Sequence, residues 1–280
     1  MVLTPNSLPQ FSFPLRHHDS PPCTKKFLSV VICTVGRKES LLRTLKSLED
    51  QTFKNFEVVL VTTTGSLAHA RNLGMKSAIG KILTFIDDDV WCPSTYLKSV
   101  VKEFNNPEVV GVSGPTLIES IYRSNRDLFQ WSLAKRLHDW LFVKEARYWP
   151  GTLSECGTPS MSSNEPWCLY EGPVNYLEAC NMSVRRSEAL LTEGFDEGYV
   201  QTSEWSEPDF CFALSELGKL RFSQSCKLYH CPSKEGIYRN RLNTTHRWEN
   251  FKKFQNRHGF HSLLYRGFVW AYFKLKQIVG

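Results

Sequence analysis

A chain of 280 residues with 41% hydrophobic and 22% charged side chains has the composition of a globular protein and the length of one large α/β domain or two small ones. Nine cysteines without a C-x-x-C pair argue against a zinc ribbon, and their odd number against a complete disulfide framework. The net charge of +6 favours acidic partners without choosing among phosphorylated substrates, anionic headgroups and nucleic acid, and a basic surface kept for solubility explains it equally well.

The first 25 residues, rich in Pro and Ser, read as a flexible arm. They lack the long apolar run of a signal peptide, and no stretch has the length and purity of a membrane-spanning helix. A reducing cytoplasm is the expected location. Ordered structure is expected from Lys26. "FLSVVICTV" (27–35) is a compact, β-branched apolar run and predicts a buried strand. "LLRTLKSLEDQ" (41–51) sets Leu41, Leu42, Leu45 and Leu48 at helical spacing. "FEVVLVTTT" (56–64) predicts a second strand, and "SLAHARNLGMKSAIG" (66–80) a helix ended by Gly80. "KILTFI" then predicts a third strand, which runs straight into Asp87, Asp88 and Asp89. Alternating strands and helices of this length specify a mostly parallel sheet with helices on both faces, whose ligands bind beyond the carboxyl ends of the strands. Three adjacent carboxylates at that edge, partly desolvated, repel one another. They suit a hard divalent cation or a solvated acidic loop that caps the next helix.

"STYLKSVVKEF" (94–104) predicts a helix and "EVVGVSGP" (108–115) a strand and turn. Next comes an aromatic-rich helical pattern, "RDLFQWSLAKRLHDWLFVKEA", and then a Gly/Pro/Ser-rich stretch from 149 to 173. A loop that long is functional or disordered. "DFCFALSELG" (209–218) predicts a helix, and "KLRFSQSCKLYHCP" one short strand. The end of the chain, 234–280, is basic and then aromatic. It suits an anionic membrane surface (262–280), its own catalytic domain, or a twin chain in a homodimer.

Four blocks, "SVVICTVGRKESLLRTLKSLEDQTFKNFEVVLV", "ARNLGMKSAIGKILTFIDDD", "NMSVRRSEALLTEGFDEG" and "EPDFCFALSELGKL…KLYHCP", resemble the family 2 glycosyltransferases of GT-A fold in their usual order, over residues 27–232. The resemblance implies a single GT-A domain (26–233), with 116–173 as its acceptor-side insertion and a C-terminal helical tail. It also implies an inverting, metal-dependent transfer of sugar from a nucleotide-diphosphate sugar to a carbohydrate or lipid-linked hydroxyl acceptor, peripheral on the membrane where the tail contacts one. Asp87 or Asp88 is then expected near the ribose and sugar. Asp89, with Asp87 and His230, is expected to bind Mn²⁺ or Mg²⁺, carboxylates with an imidazole suiting Mn²⁺. Thr34, Val35 and Arg37 fall at the nucleotide wall, and Arg71 falls near the diphosphate, where a guanidinium holds phosphate bidentately. Asn181 falls under the sugars.

Two departures stand out. The family's base-reading Asp-Asp-Gly-Ser is "VTTTGS" here, leaving Thr62 or Thr63 to bond the base. The family's Glu-Asp-x-Asp is "WSEPDFCFAL", which places Glu207 at the catalytic-base position, with Asp209 or Glu204 as alternatives. Glu207 and Asp209 beside Pro208 also suit a helix N-terminus on electrostatic grounds alone. The runner-up functions are a catalytically silent relative and a retaining transferase or nucleotidyltransferase on the same platform. Nucleic-acid binding fits poorly, since the basic residues lie in the tail and the cleft is acidic.

Overall fold

The computed structural model describes residues 8–21, 26–63, 65–118, 140–141, 149–160, 168–233, 245–260, 263–268 and 270–271. The predicted strands form the centre of an eight-stranded sheet. β2 (Leu28–Cys33) lies between β3 (Phe56–Val61) and β4 (Ile82–Asp87), all parallel. Beyond β4 come β9 (Asn181–Arg185), antiparallel to β4, then β6 (Val109–Ser113), β10 (Lys219–Phe222) and β8 (Gly172–Pro173). A small second sheet joins β5 (Val90–Trp91), β11 (Leu228–His230) and β7 (Thr116–Ile118). The architecture is the mixed α/β sheet flanked by helices that the sequence predicts.

Period-2 burial sends alternate residues of each central strand to opposite faces. Leu28, Val30 and Ile32 meet α1 (Lys38–Glu49) and α3 (Tyr96–Glu103) in one core. Val31, Val59, Leu83 and Phe85 meet α2 (Leu67–Ser77), α4 (Arg186–Leu191) and α5 (Ser206–Ser215) in the other. Helix α2 lies so close to the sheet that a Cβ at Gly74 would stand 2.3 Å from Val31 Cγ1. This close approach fixes where α2 sits above the strand ends.

Several boundaries differ from the sequence reading. The chain packs against the sheet before Lys26: β1 (Leu15–His17) adds a parallel edge strand to β3. Three residues, one apolar and two basic, give no strand signal of their own, and a long-range ion pair holds them instead. Arg16 Nε meets Glu57 Oε2 at 2.8 Å, and its other nitrogens donate to Ser77. Helix α2 stops at Ser77, ahead of Gly80. Gly80 serves a close approach to the backbone of Leu28 and Ser29, where a Cβ would come within 2.5 Å. "KLRFSQSCKLYHCP" is two strands, β10 and β11, in different sheets, parted by a 3-10 turn at Gln224–Cys226. The helix expected from 126 to 146 lies outside the described residues, apart from 140–141, and the aromatic tail does so from 272 onwards.

Burial alone would raise the Glu57 carboxyl, but Arg16, Ser29 and the Ile79 N–H outweigh it and hold it below its ordinary value. Glu57 therefore stabilises the fold at pH above its unfolded value, and this contribution is lost as pH falls through the depressed folded value. Arg16→Met leaves a fully buried carboxylate without its cation and should destabilise the protein by about 3–5 kcal/mol near pH 7. Because protonating Glu57 relieves the penalty, the deficit should shrink near pH 4. Urea denaturation at the two pH values checks this, and equal deficits would contradict it.

Helix α6 (Thr245–His258) docks on the chain's own domain. Phe251 and Phe254 are fully buried, Lys253 and Arg257 each reach Asp196 at 2.8 Å, and Asn250 exchanges hydrogen bonds with the Val200 backbone. Residues 149–160, from the Gly/Pro/Ser-rich stretch, fold under α6, with Gln255 donating to the Cys156 carbonyl. Leu263, Leu264 and Trp270 are exposed. Among the described residues no helix is long and apolar enough to cross a membrane.

Candidate active site

Strand β4 ends at the carboxyl edge of the sheet and delivers Asp87. The turn into β5 delivers Asp88 and Asp89, and β11 brings in His230 from 141 residues away. The three aspartates do not act alike. Successive residues face opposite ways, so Asp87 and Asp89 turn to the cleft and converge with His230. One ligand atom from each lies within 4.8 Å of the others. Asp88 turns inward, is fully buried, and is held by the Thr34 hydroxyl and the Arg37 guanidinium. The expectation that Asp88 approaches the donor is therefore corrected: its oxygens are spent on locking the β2–α1 corner.

The electrostatics of the converging set are uneven. Burial, and then the charge of Asp89, push the Asp87 carboxyl above its ordinary value. Burial pushes Asp88 up to about 6 despite Arg37 and Thr34. Asp89 feels the same burial, but a hydrogen bond from His230 Nε2 (3.1 Å), the charges of His230 and Arg37, and the Ser233 N–H hold it low. His230 is raised in turn, its bond to Asp89 outweighing its burial. A half-buried and a buried carboxylate and an imidazole whose ligand atoms converge form a donor set that fits a hard or borderline dication such as Mg²⁺ or Mn²⁺, whose charge would relieve the repulsion at Asp87.

This set sits in a cleft of about 690 Å³. Thr34, Val35, Arg37, Thr63, Arg71, Asp87, Asp89, Glu207 and His230 all line it. Three expected residues lie elsewhere. Thr62 bonds His17 Nε2 at 2.5 Å, and His17 is itself held by Asp19 at 2.7 Å. Asn181 is buried under the cleft floor, its amide donating to the carbonyls of Gly114 and Cys226 and its oxygen accepting from Tyr96, so the structure gives it a packing role. Asp209 points away from the cleft and anchors α6 through His258 (2.6 Å) and Arg257 (3.2 Å). Of the three candidate bases, this leaves Glu207 and Glu204 lining the cleft.

The loop before α5 explains how Glu207 is aimed. Gln201, Ser203 and Trp205 all have positive φ (54°, 52° and 71°), a conformation uncommon outside glycine and often found at functional sites. The loop is tied to the first turn of α2. Leu67 N donates to the Gln201 carbonyl, and Ala68 N donates to Ser203 Oγ. The helix carrying Arg71 and the helix carrying Glu207 are thereby fixed to one another.

Sequence reasoning missed Arg247. It comes from α6, lines the cleft and pairs with Glu204 at 2.9 Å. The available signal was Trp248, Phe251 and Phe254 at helical spacing, which marks a docking helix inside the basic stretch. Cys33 and Cys180 also line the cleft. The eight described cysteines are free thiols.

Residues 62–165 match the family model described as Glycosyl transferase family 2, a segment that holds the three aspartates and Arg71 but ends before Glu207 and His230. No curated protein matches the chain in sequence. Among solved structures, the mannosyltransferase PcManGT from Pyrobaculum calidifontis, in complex with GDP-Man and Mn²⁺, superposes with a TM-score of 0.52 at 15% identity. The alignment covers 84% of this chain and 66% of that one, so this chain spans just under two thirds of the mannosyltransferase. TarS 1–349 from S. aureus gives a TM-score of 0.49 at 15% identity, covering 84% of this chain and 72% of that one. The fold is the GT-A fold of the mannosyltransferase, and the matched segment, just over a third of the chain, is similar to glycosyl transferase family 2.

Proposed function

We propose that the protein transfers a sugar, with inversion, from a nucleotide-diphosphate sugar to a hydroxyl acceptor, using Mn²⁺ or Mg²⁺. The observation that carries this reading is the convergence of Asp87, Asp89 and His230 in a cleft that also holds Arg71 and Glu207. Asp89 and His230, with Asp87, hold the ion. When bound, it offsets the charge that develops on the departing diphosphate. Arg71 binds diphosphate oxygens. Arg37 keeps Asp88 and Asp89 in place. Glu207 takes the proton from the acceptor hydroxyl as its oxygen bonds to the anomeric carbon and the bond to the diphosphate breaks. Trp205, Glu204 and Arg247 wall the cleft on the Glu207 side and form the acceptor end, which makes α6 part of the site. Thr62 is taken up by His17, so Thr63 is the hydroxyl left for the nucleobase.

The test is a thermal-shift panel of UDP-, GDP-, dTDP- and CDP-sugars, each with Mn²⁺ and with chelator. The GDP-Man and Mn²⁺ bound by the mannosyltransferase of similar fold are a reason to include that pair. One donor class should stabilise the protein, by about 2.7 kcal/mol at a hundred times Kd, and chelator should abolish the effect. A flat panel with folded protein would overturn the reading in favour of a silent relative.

A further inference from the structure

Arg71 and Glu207 have opposite assignments, one toward the leaving diphosphate and one toward the acceptor proton. Yet they occupy each other: Arg71 Nη1 lies 2.8 Å from Glu207 Oε1. Arg71 is the more enclosed, its side chain 6% exposed against 19% for Glu207. An aromatic stack positions both. The Arg71 guanidinium lies over the Phe195 ring at 5.5 Å, and Phe195 stacks at 4.4 Å on Phe210, three residues past Glu207 on α5. The contact between them is one of charge without alignment, because no hydrogen on Nη1 is directed at an acceptor among the described residues. A buried guanidinium with an undirected Nη1 is suited to an oxygen-rich anion that can satisfy its planar fork. The cleft guanidiniums differ in the partner each rests on. Arg37 rests on Asp88 and Asp89 and Arg247 on Glu204, while Arg71 rests on the candidate base itself.

We propose that Glu207 and the donor diphosphate compete for Arg71, so that Arg71 latches the base until donor arrives. This rests on the proposed function and goes beyond it. Without donor, Arg71 covers a Glu207 oxygen that the acceptor hydroxyl needs. When the diphosphate arrives, Arg71 turns its hydrogens to phosphate oxygens and Glu207 is released toward the acceptor end. No bond is made or broken in this exchange of anions on one cation. The device orders the reaction: donor first, then acceptor, with the base uncovered only when a leaving group is in place.

Calorimetric titration of the full chain with UDP, GDP, dTDP and CDP, each with Mn²⁺, tests the latch without turnover. Removing the competitor should tighten binding, so Glu207→Gln and, as a second variant, Glu207→Ala should bind the preferred nucleotide about three- to tenfold more tightly than wild type, the scale of one partly buried charge pair. Arg71→Ala should weaken binding about tenfold or more. Glu178→Gln removes another cleft carboxylate and should change affinity less than twofold. Three results would overturn the latch: unchanged or weaker binding by both Glu207 variants, an equal gain in Glu178→Gln (a general charge effect), or unchanged binding by Arg71→Ala. If wild type binds none of the four nucleotides, the proposed function fails, and the latch with it.

Discussion

Asp89→Asn should abolish the chelator-sensitive stabilisation by nucleotide sugar and lower turnover roughly a hundredfold or more, the scale expected when a metal ligand or its support is lost. Asp89 is the hub of the acidic set. One oxygen accepts from His230 and the other from the Ser233 N–H, close to the Arg37 guanidinium. Asparagine keeps the shape and one acceptor oxygen but removes the charge that holds an ion. The fold should survive, since the strands on either side are fixed by their own ladders, β4 to β2 and β5 to β11. A secondary effect follows from the coupling to Asp87. Burial and the Asp89 charge both raise the Asp87 carboxyl, so neutralising Asp89 leaves burial as the remaining upward push and moves Asp87 back toward its ordinary value. Asp89 is itself held low, so its contribution to stability is present at neutral pH and lost as pH falls through its depressed folded value. The variant should therefore be less stable than wild type near pH 7 and approach it in acid. Thermal shift with and without Mn²⁺, alongside circular dichroism, reads both effects. Retention of full metal-dependent donor binding by a folded Asp89→Asn protein would remove this cluster from the mechanism.

The parts of this molecule that could be read from sequence are those whose signal is local. Strands β2, β3 and β4 are continuous apolar runs, α1 carries leucines at helical spacing, and the three aspartates stand where an apolar strand ends. The parts that could not be read depend on partners far along the chain. β1 is strand because Arg16 finds Glu57, 41 residues on. The two halves of "KLRFSQSCKLYH" part company because β10 pairs with β6 while β11 pairs with β5 and β7. The site divides in the same way. That Asp88 faces inward while Asp87 and Asp89 face the cleft follows from a turn geometry that composition does not carry. Asp209 looks like a catalytic acid until α6 folds back and His258 and Arg257 claim it. Arg247, in a basic stretch that suggested a surface, reaches the cleft because Phe251 and Phe254 bury the helix that carries it.

Glu207→Gln should reduce turnover by about 10²- to 10⁴-fold, the contribution of a positioned general base, while still binding nucleotide. The amide that replaces the carboxylate can accept a hydrogen bond from the acceptor hydroxyl but cannot take its proton at neutral pH, so the loss falls on kcat. The comparison that decides between the two acids of α5 is Asp209→Asn. Asp209 touches His258 and Arg257 and does not line the cleft. Its loss should lower the melting temperature by loosening α6, and it should affect turnover only as far as α6 carries Arg247 out of place. Glu207 has the reverse profile. It lines the cleft, sits in the first helical turn behind a loop held in left-handed conformation, and pairs with Arg71 across the cleft wall. Steady-state kinetics of the two variants, with melting curves, therefore separate the roles. If Glu207→Gln turns over near the wild-type rate while Asp209→Asn is folded and inactive, the base is misassigned and α5 must rotate in the working enzyme. If Glu207→Gln binds nucleotide more tightly and turns over far more slowly, one carboxylate is both the competitor for Arg71 and the acceptor's base, a pairing that a merely structural Glu207 would not produce.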